Sequence, residues 1–260
     1  MAGSRIDHAG HHNDPAAQVH EVLAYDRTLS SVLSFIKRSP VQTLMVSTSD
    51  HETGGLATAR QLHASYPEYV WYPSPLANAS HSAERMALRY NKYLFNDPSD
   101  SQKREFVKDE IEDGLGIYDA TDEEINDLVK DPATALYQYA DMMSRRSQTG
   151  WSTHGHSGAD VNIYSSDPKA ATDLVGNHEN TEVGEFLRNY LDVDVEAVTK
   201  ELRDKGTKLM VESATGEEIS WMGKIPANGQ RLDGQNHLAS YGGDFKKRGV
   251  EHGSDCGCGH

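Results

Sequence analysis

The chain has 260 residues, 37% of them hydrophobic, and carries a formal charge of −15 from 40 acidic and 25 basic residues. No basic stretch offsets that acidity, which argues against nucleic acid as a partner and means that any phosphate site would need local cations. The mean hydropathy of −0.67 is meagre for a self-sufficient α/β domain of this size, and with no signal peptide or apolar run of about 18 residues the chain is expected neither to enter the secretory route nor to contact a membrane by itself.

Residues 1–14 are polar and His-rich, with Asp7, His8, His11 and His12 around Gly10. Asp14 has the character of a helix N-cap, with Pro15 at the first helical position. Val19, Val22, Leu23, Leu29, Val32, Leu33 and Ile36 then recur at helical spacing, so an amphipathic helix is expected over 15–38, ended by Ser39-Pro40. The apolar run 42–48 reads as a buried strand, and a helix feeding such a strand is the rhythm of a layered α/β fold. At the strand's end stands Asp50-His51-Glu52-Thr53-Gly54-Gly55. A hard carboxylate beside an imidazole makes a half-site for zinc, and the glycines let backbone approach closely.

Residues 57–83 hold many Tyr, Pro, Ser and His without a clear period; 84–95 read as a helix, and 98–113 and 121–145 as acidic, polar helices, the last capped near Thr121 and Asp122. The segment from Trp151 to Tyr164 brings Gly and His into a second loop leading to a short strand. Asn180 to Leu191 and residues 195–204 read as helices, and Lys208-Leu209-Met210-Val211 as a small strand. From Gly216 onward, Gly, Asn, Asp and Lys predict loops. Four parts follow: a metal-binding helix–strand part of an α/β core over 1–56, a mostly helical insertion over 57–150, a return to the core over 151–215, and a loop-rich tail over 216–260. The two cysteines, Cys256 and Cys258, stand in that tail, too few for a disulfide framework, and their role stays open between a solvated end and a metal or redox function.

Taken together, Asp7, His11, Asp50, His51 and His156 are five Asp and His donors in three separate segments. That exceeds the need of one tetrahedral structural zinc and suits two metals sharing a site, each with a position open to substrate. Two such ions can clamp a phosphoryl group, and their charge answers the repulsion expected of an acidic protein.

These residues carry a family resemblance. Gly3-Ser4-Arg5-Ile6-Asp7-His8-Ala9-Gly10-His11, Asp50-His51-Glu52-Thr53-Gly54-Gly55 and His156-Ser157-Gly158-Ala159-Asp160-Val161 resemble, in order and separation, three metal-site motifs of the alkaline phosphatases. Thr48-Ser49-Asp50-His51 and Asn177-His178-Glu179-Asn180-Thr181 are most similar to the fungal vacuolar-type enzymes. The resemblance implies a three-layer α/β/α sheet, present here in part, with a helical insertion. It implies that Asp7, His11 and His156 serve the first zinc, that Asp50 and His51 serve the second, and that phosphate monoesters are the substrates. A homodimer and a vacuolar home are what it implies for the full-length enzymes.

The departures weigh equally. In the family pattern Glu-Gly-x-x-Ile-Asp, the Glu binds magnesium; here that position is Ala2. The family's nucleophilic serine, its zinc-bridging aspartate and its phosphate-gripping arginine belong to a part that precedes Gly3, and no downstream serine has a matching context. The chain therefore resembles a C-terminal half, with the first zinc site complete, the second lacking ligands and the magnesium site lost. No catalytic residue is assigned within it. Little or no phosphatase activity is expected of it alone, along with an apolar sheet edge prone to association. The alternative is a non-catalytic zinc-binding fragment; a sulfatase or phosphodiesterase of the same superfamily fits the His156 motif less well.

Overall fold

The computed structural model describes residues 2–64, 67, 69–204, 210–212 and 218–220. It divides into two units, Met1–Leu187 and Arg188–His260. The first holds α1 (Ser4–His11), α2 (Pro15–Ile36), β1 (Val46–Thr48), β2 (Glu52–Thr53), α3 (Ser74–Asn78), α4 (Ala83–Leu94), α5 (Asp100–Glu110), α6 (Asp122–Lys130), α7 (Ala135–Ser147), β3 (His156–Ser157) and β4 (Ile163–Ser165). Helix α8 (Asn180–Leu191) crosses the boundary, and α9 (Val195–Asp204), β5 (Met210–Glu212) and β6 (Glu218–Ser220) belong to the second unit. Helices interleaved with short strands make a partial α/β fold. No described helix is long and apolar enough to cross a membrane.

Asp14 sets the start of two helices. Its Oδ1 accepts a 2.9 Å hydrogen bond from the N–H of Ala17, while Pro15 takes the first turn, where a missing N–H costs nothing. Its Oδ2 accepts from the N–H of Ala83 at 2.7 Å, at the first residue of α4. The carboxylate is 2% exposed, so these two backbone donors, otherwise orphaned at helix N-termini, are satisfied inside the protein.

The apolar core lies among the helices of residues 57–150. Met86 and Tyr90 of α4, Val107 of α5, Leu128 of α6 and Tyr139 and Met143 of α7 are fully buried, with Ile111 and Leu115 of the π-helical turn that extends α5. Burial of each such side chain stabilises by about 1.5–3 kcal/mol relative to exposure.

Several elements depart from the sequence-based expectation. The buried strand over 42–48 shortens to β1, half-buried at Val46 and Ser47 and exposed at Thr48. It pairs antiparallel with β4, Val46 opposite Ser165 and Thr48 opposite Ile163. A strand is buried on both faces only when a sheet and helices cover it, and among the described residues β1 has one neighbour. Residues 121–145 form two helices rather than one. Asp131 ends α6, Pro132 opens a 3-10 turn, and α7 restarts at Ala135. Nor is α7 polar all round, since Ala135, Tyr139, Ala140, Met142 and Met143 are buried along it. Residues 57–83, which lack a period, contain the short α3.

In the second unit, β5 and β6 pair antiparallel with Met210 opposite Ser220. The strand expected from Lys208 to Val211 is thus described from Met210, Lys208 and Leu209 lying outside the described residues. Loops were expected from Gly216, yet Glu218–Ser220 is a strand. Cys256 and Cys258 lie outside the described residues.

Candidate metal centre

Three elements build the centre, and each is held by a local device. Asp7 and His11 stand four residues apart on α1, hence on one helix face. Gly10 lets α1 approach β2: a Cβ there would meet the Thr53 side chain at 3.0 Å. The antiparallel pairing of β2 with β3 sets Thr53 opposite His156 and Glu52 opposite Ser157. That register carries His156, more than a hundred residues further along the chain, to the face of α1.

Gly54 holds the register. It has φ of +93°, a conformation that L side chains rarely adopt, and a Cβ on it would meet the Trp151 ring at 2.5 Å. Its N–H donates to the carbonyl of Gly155 at 2.8 Å, and its carbonyl accepts from Ser152. Downstream, Ala57 and Gly150 exchange backbone hydrogen bonds at 2.8 and 2.7 Å. The Glu52 carboxylate accepts from the N–H groups of Gly55 and Leu56 and from the Ser157 hydroxyl. Burial acts to raise the Glu52 pKa, but those hydrogen bonds outweigh it and hold the group below its ordinary value.

The donor atoms then converge. His11 Nε2 lies 3.4 Å from Asp7 Oδ1, His156 Nε2 lies 3.7 Å from the same oxygen, and the two Nε2 atoms are 3.2 Å apart. A tetrahedral ion with bonds of about 2.1 Å needs donors roughly 3.4 Å apart. The three edges bracket that length, so the donor set fits one zinc-sized ion.

The hydrogen bonds of the imidazoles fit as well. His11 Nδ1–H donates to the carbonyl of His154, and His154 Nδ1–H donates back to the carbonyl of His11 at 2.9 Å. With its proton on Nδ1, His11 turns the Nε2 lone pair inward, the usual role of an outer-shell acceptor. Desolvation, with smaller repulsions from His51 and His11, keeps the His156 pKa below the ordinary histidine value. The Thr53 hydroxyl donates to Asp7 Oδ1 at 2.6 Å.

Asp50 and His51 gather beside this triangle. His51 Nε2 is 3.2 Å from Asp50 Oδ2, its Nδ1 is 4.0 Å from Asp7 Oδ1, and its ring stacks on that of His156 at 3.4 Å. The Asp50 side chain is 78% exposed, which leaves this flank open. All five sequence-derived candidates are therefore neighbours. Among the described residues, however, only Asp7, His11 and His156 of the five form a group of three convergent donors. Sequence reasoning did not assign Thr53, which steadies Asp7, or His154, which orients His11. Thr53 stands inside the motif as a visible signal, whereas the carbonyl of His154 has none.

The family description "Alkaline phosphatase" matches residues 1–193. The chain is 53% identical over 215 residues to the repressible alkaline phosphatase of Saccharomyces cerevisiae, covering 78% of this chain and 38% of that protein. It is 36% identical over 207 residues to the alkaline phosphatase of Schizosaccharomyces pombe, covering 78% and 37% respectively. It thus spans well under half the length of these curated relatives. Among solved structures, the cold-active alkaline phosphatase of a psychrophilic Shewanella sp. aligns with a TM-score of 0.59 at 30% identity, covering 73% of this chain and 44% of that one. With motifs, donor geometry and the matched span in agreement, the chain belongs to the alkaline phosphatase family.

Proposed function

We propose that this chain supplies the metal-binding part of a two-zinc phosphomonoesterase site and turns over little substrate alone. The observation that carries the reading is the triangle of Asp7 Oδ1, His11 Nε2 and His156 Nε2, with edges of 3.2 to 3.7 Å. When bound, zinc supplies the positive charge that draws and polarises a phosphate monoester. A chain of formal charge −15 otherwise offers such an anion little.

The protein's own groups have distinct parts in this reading. His11 and His156 offer ring nitrogens, and Asp7 offers the carboxylate oxygen that Thr53 steadies. Asp50 and His51 hold the second ion from an open flank, with two donors and no convergent third among the described residues. No magnesium site is assigned, since Ala2 occupies the position of the family's magnesium-binding glutamate. Two donors without a convergent third among the described residues also favour the companion reading, zinc binding without turnover.

The test is to purify the chain, load it with zinc and magnesium, and assay a chromogenic phosphomonoester at alkaline pH beside His156→Ala. One tightly held zinc lost in that variant, with turnover at background, is the expected result. Turnover abolished by His156→Ala would overturn the inactivity; zinc binding indifferent to His156→Ala would overturn the metal site.

A further inference from the structure

His8 on α1 and His12, the residue at its C-terminal cap, form a second pair of side chains at the same spacing. His8 and His12 are four residues apart, on the row next to Asp7 and His11 and about 100° further round the helix. They face α4 rather than β2. His8 Nε2 lies 3.6 Å from Oε1 of Glu84, and the His8 and His12 rings meet edge to face with centroids 4.6 Å apart. One donor atom from each of His8, His12 and Glu84 falls within 4.8 Å of the other two. His12 is buried, while His8 and Glu84 keep about a fifth of their side-chain surface.

From this cluster the geometry points to a second, separate zinc-class site, formed by His8, His12 and Glu84. The deciding magnitude is the His8–Glu84 separation. At 3.6 Å it is too long for a hydrogen bond, yet it nearly equals the roughly 3.4 Å between donors sharing a tetrahedral ion. Two imidazoles and a carboxylate are a borderline-soft donor set with one position left for water, which suits Zn2+ over Mg2+ or Ca2+. Imidazoles at i and i+4 on one helix are a spacing that binds zinc in other settings.

The third ligand is brought in by preorganised structure. Glu84 is the second residue of α4, whose first N–H is held by Asp14 and whose N-cap is Ser82. Asp14 itself sits two residues after His12 and starts α2. The helix bearing the histidines and the helix bearing the carboxylate are thus tied at one buried point. An ion here would cross-link the metal-bearing helix α1 to the helical core and stabilise the fold by mass action.

The experiment is a zinc titration of the full, metal-stripped chain against a chromogenic chelator, with thermal unfolding followed in parallel. Wild type is compared with Glu84→Gln, His8→Gln and His156→Ala. Glu84→Gln keeps the shape of the first turn of α4 and leaves Asp7, His11 and His156 untouched, so it serves even if His8→Gln folds poorly. The expected result is that Glu84→Gln weakens one zinc equivalent by more than the roughly 10- to 100-fold typical of losing an outer-shell partner. It also removes part of the zinc-dependent rise in Tm, while His156→Ala removes a different equivalent. If folded Glu84→Gln binds as many equivalents as wild type, with the same affinity, the cluster is only a histidine–carboxylate pair and the site does not exist. Loss in Glu84→Gln with no loss in His156→Ala would uphold this site and sink the phosphatase centre instead.

Discussion

The Thr53 hydroxyl donates a 2.6 Å hydrogen bond to Oδ1 of Asp7, the same oxygen that faces His11, His156 and His51. Thr53 is 7% exposed and packs its methyl side against Gly10. One hydroxyl therefore fixes the orientation of the carboxylate on which the donor triangle rests.

Replacing Thr53 with Val keeps the shape and removes the donor. Because the proposed zinc ligands stay in place, the expected effect is that of an outer-shell loss: zinc affinity falls about 10- to 100-fold, and stability falls by about 1 kcal/mol. Chelator competition and urea unfolding measure the two quantities separately. Unchanged zinc affinity in a folded Thr53→Val protein would show that Asp7 needs no such support.

Gly54→Ala tests the register that delivers His156. The new Cβ enters the Trp151 ring at 2.5 Å, at a φ of +93°, so either the ring or the β2–β3 pairing must shift. We expect a loss of about 2–3 kcal/mol, the upper range for overpacking, together with weaker zinc binding. Urea unfolding reads the first, and zinc competition the second. Wild-type values for both would mean that the two strands do not depend on this close approach.

The pairing of Asp7 with His11 and of Asp50 with His51, and the N-terminal helix, were legible in the sequence for local reasons. Asp7 and His11 share a helix face, Asp50 and His51 follow an apolar run, and Asp14-Pro15 is a helix start written in two residues. What escaped depended on tertiary contact. Glu84 nears His8 and His12 at the start of α4, where Asp14 accepts from the N–H of Ala83, and no local pattern announces a bond between residues 69 positions apart. The burial of α7 was hidden differently. Tyr139, Met142 and Met143 carry its apolar stripe, but the surrounding acidic composition gave the stretch a solvated look. The brevity of β1 reflects a sheet with one neighbour for it among the described residues, which an apolar run cannot reveal.

Arg146 should govern the acid side of the stability curve. It donates to Glu124 at 2.8 and 3.0 Å and to Asp119 at 2.8 Å, joining α7 to α6 and to the segment before it. Burial acts to raise the Glu124 pKa, but hydrogen bonds from Arg146 and Thr121 outweigh it and leave the group below its ordinary 4.5. The Arg146 hydrogen bond likewise lowers Asp119 below 3.8. For carboxyls depressed in the folded state, the stabilisation is whole above the unfolded pKa and disappears as pH falls through the folded one. Arg146→Met is thus expected to cost about 2 kcal/mol near pH 7 and to flatten the decline in stability below about pH 4.5. Urea unfolding of both proteins from pH 7 to pH 3 makes the comparison. Parallel curves would show that the ion pairs are decorative.

Asp14 carries the opposite sign. Burial raises its pKa above the ordinary 3.8, against hydrogen bonds from Ala17, Ala83 and Ala16 that lower it. A carboxyl raised in the folded state holds its proton more tightly there than in the unfolded chain. Its contribution to stability therefore falls as pH climbs from 3.8 toward the folded value and is flat above it. Asp14→Asn removes the titration and keeps one acceptor oxygen, but its amide nitrogen cannot accept from the N–H of Ala83. The variant is expected to lose about 1–2 kcal/mol at neutral pH, with part of the cost returned because no charge is buried. Asp14→Ala forfeits the cap on α2 as well and should lose about 3 kcal/mol, since a cap is worth roughly 1 and an orphaned buried N–H up to 3. Urea unfolding at pH 7 should rank wild type above Asn and Asn above Ala. An alanine variant as stable as the asparagine one would mean that the bond to Ala17 contributes nothing to holding α2 in place.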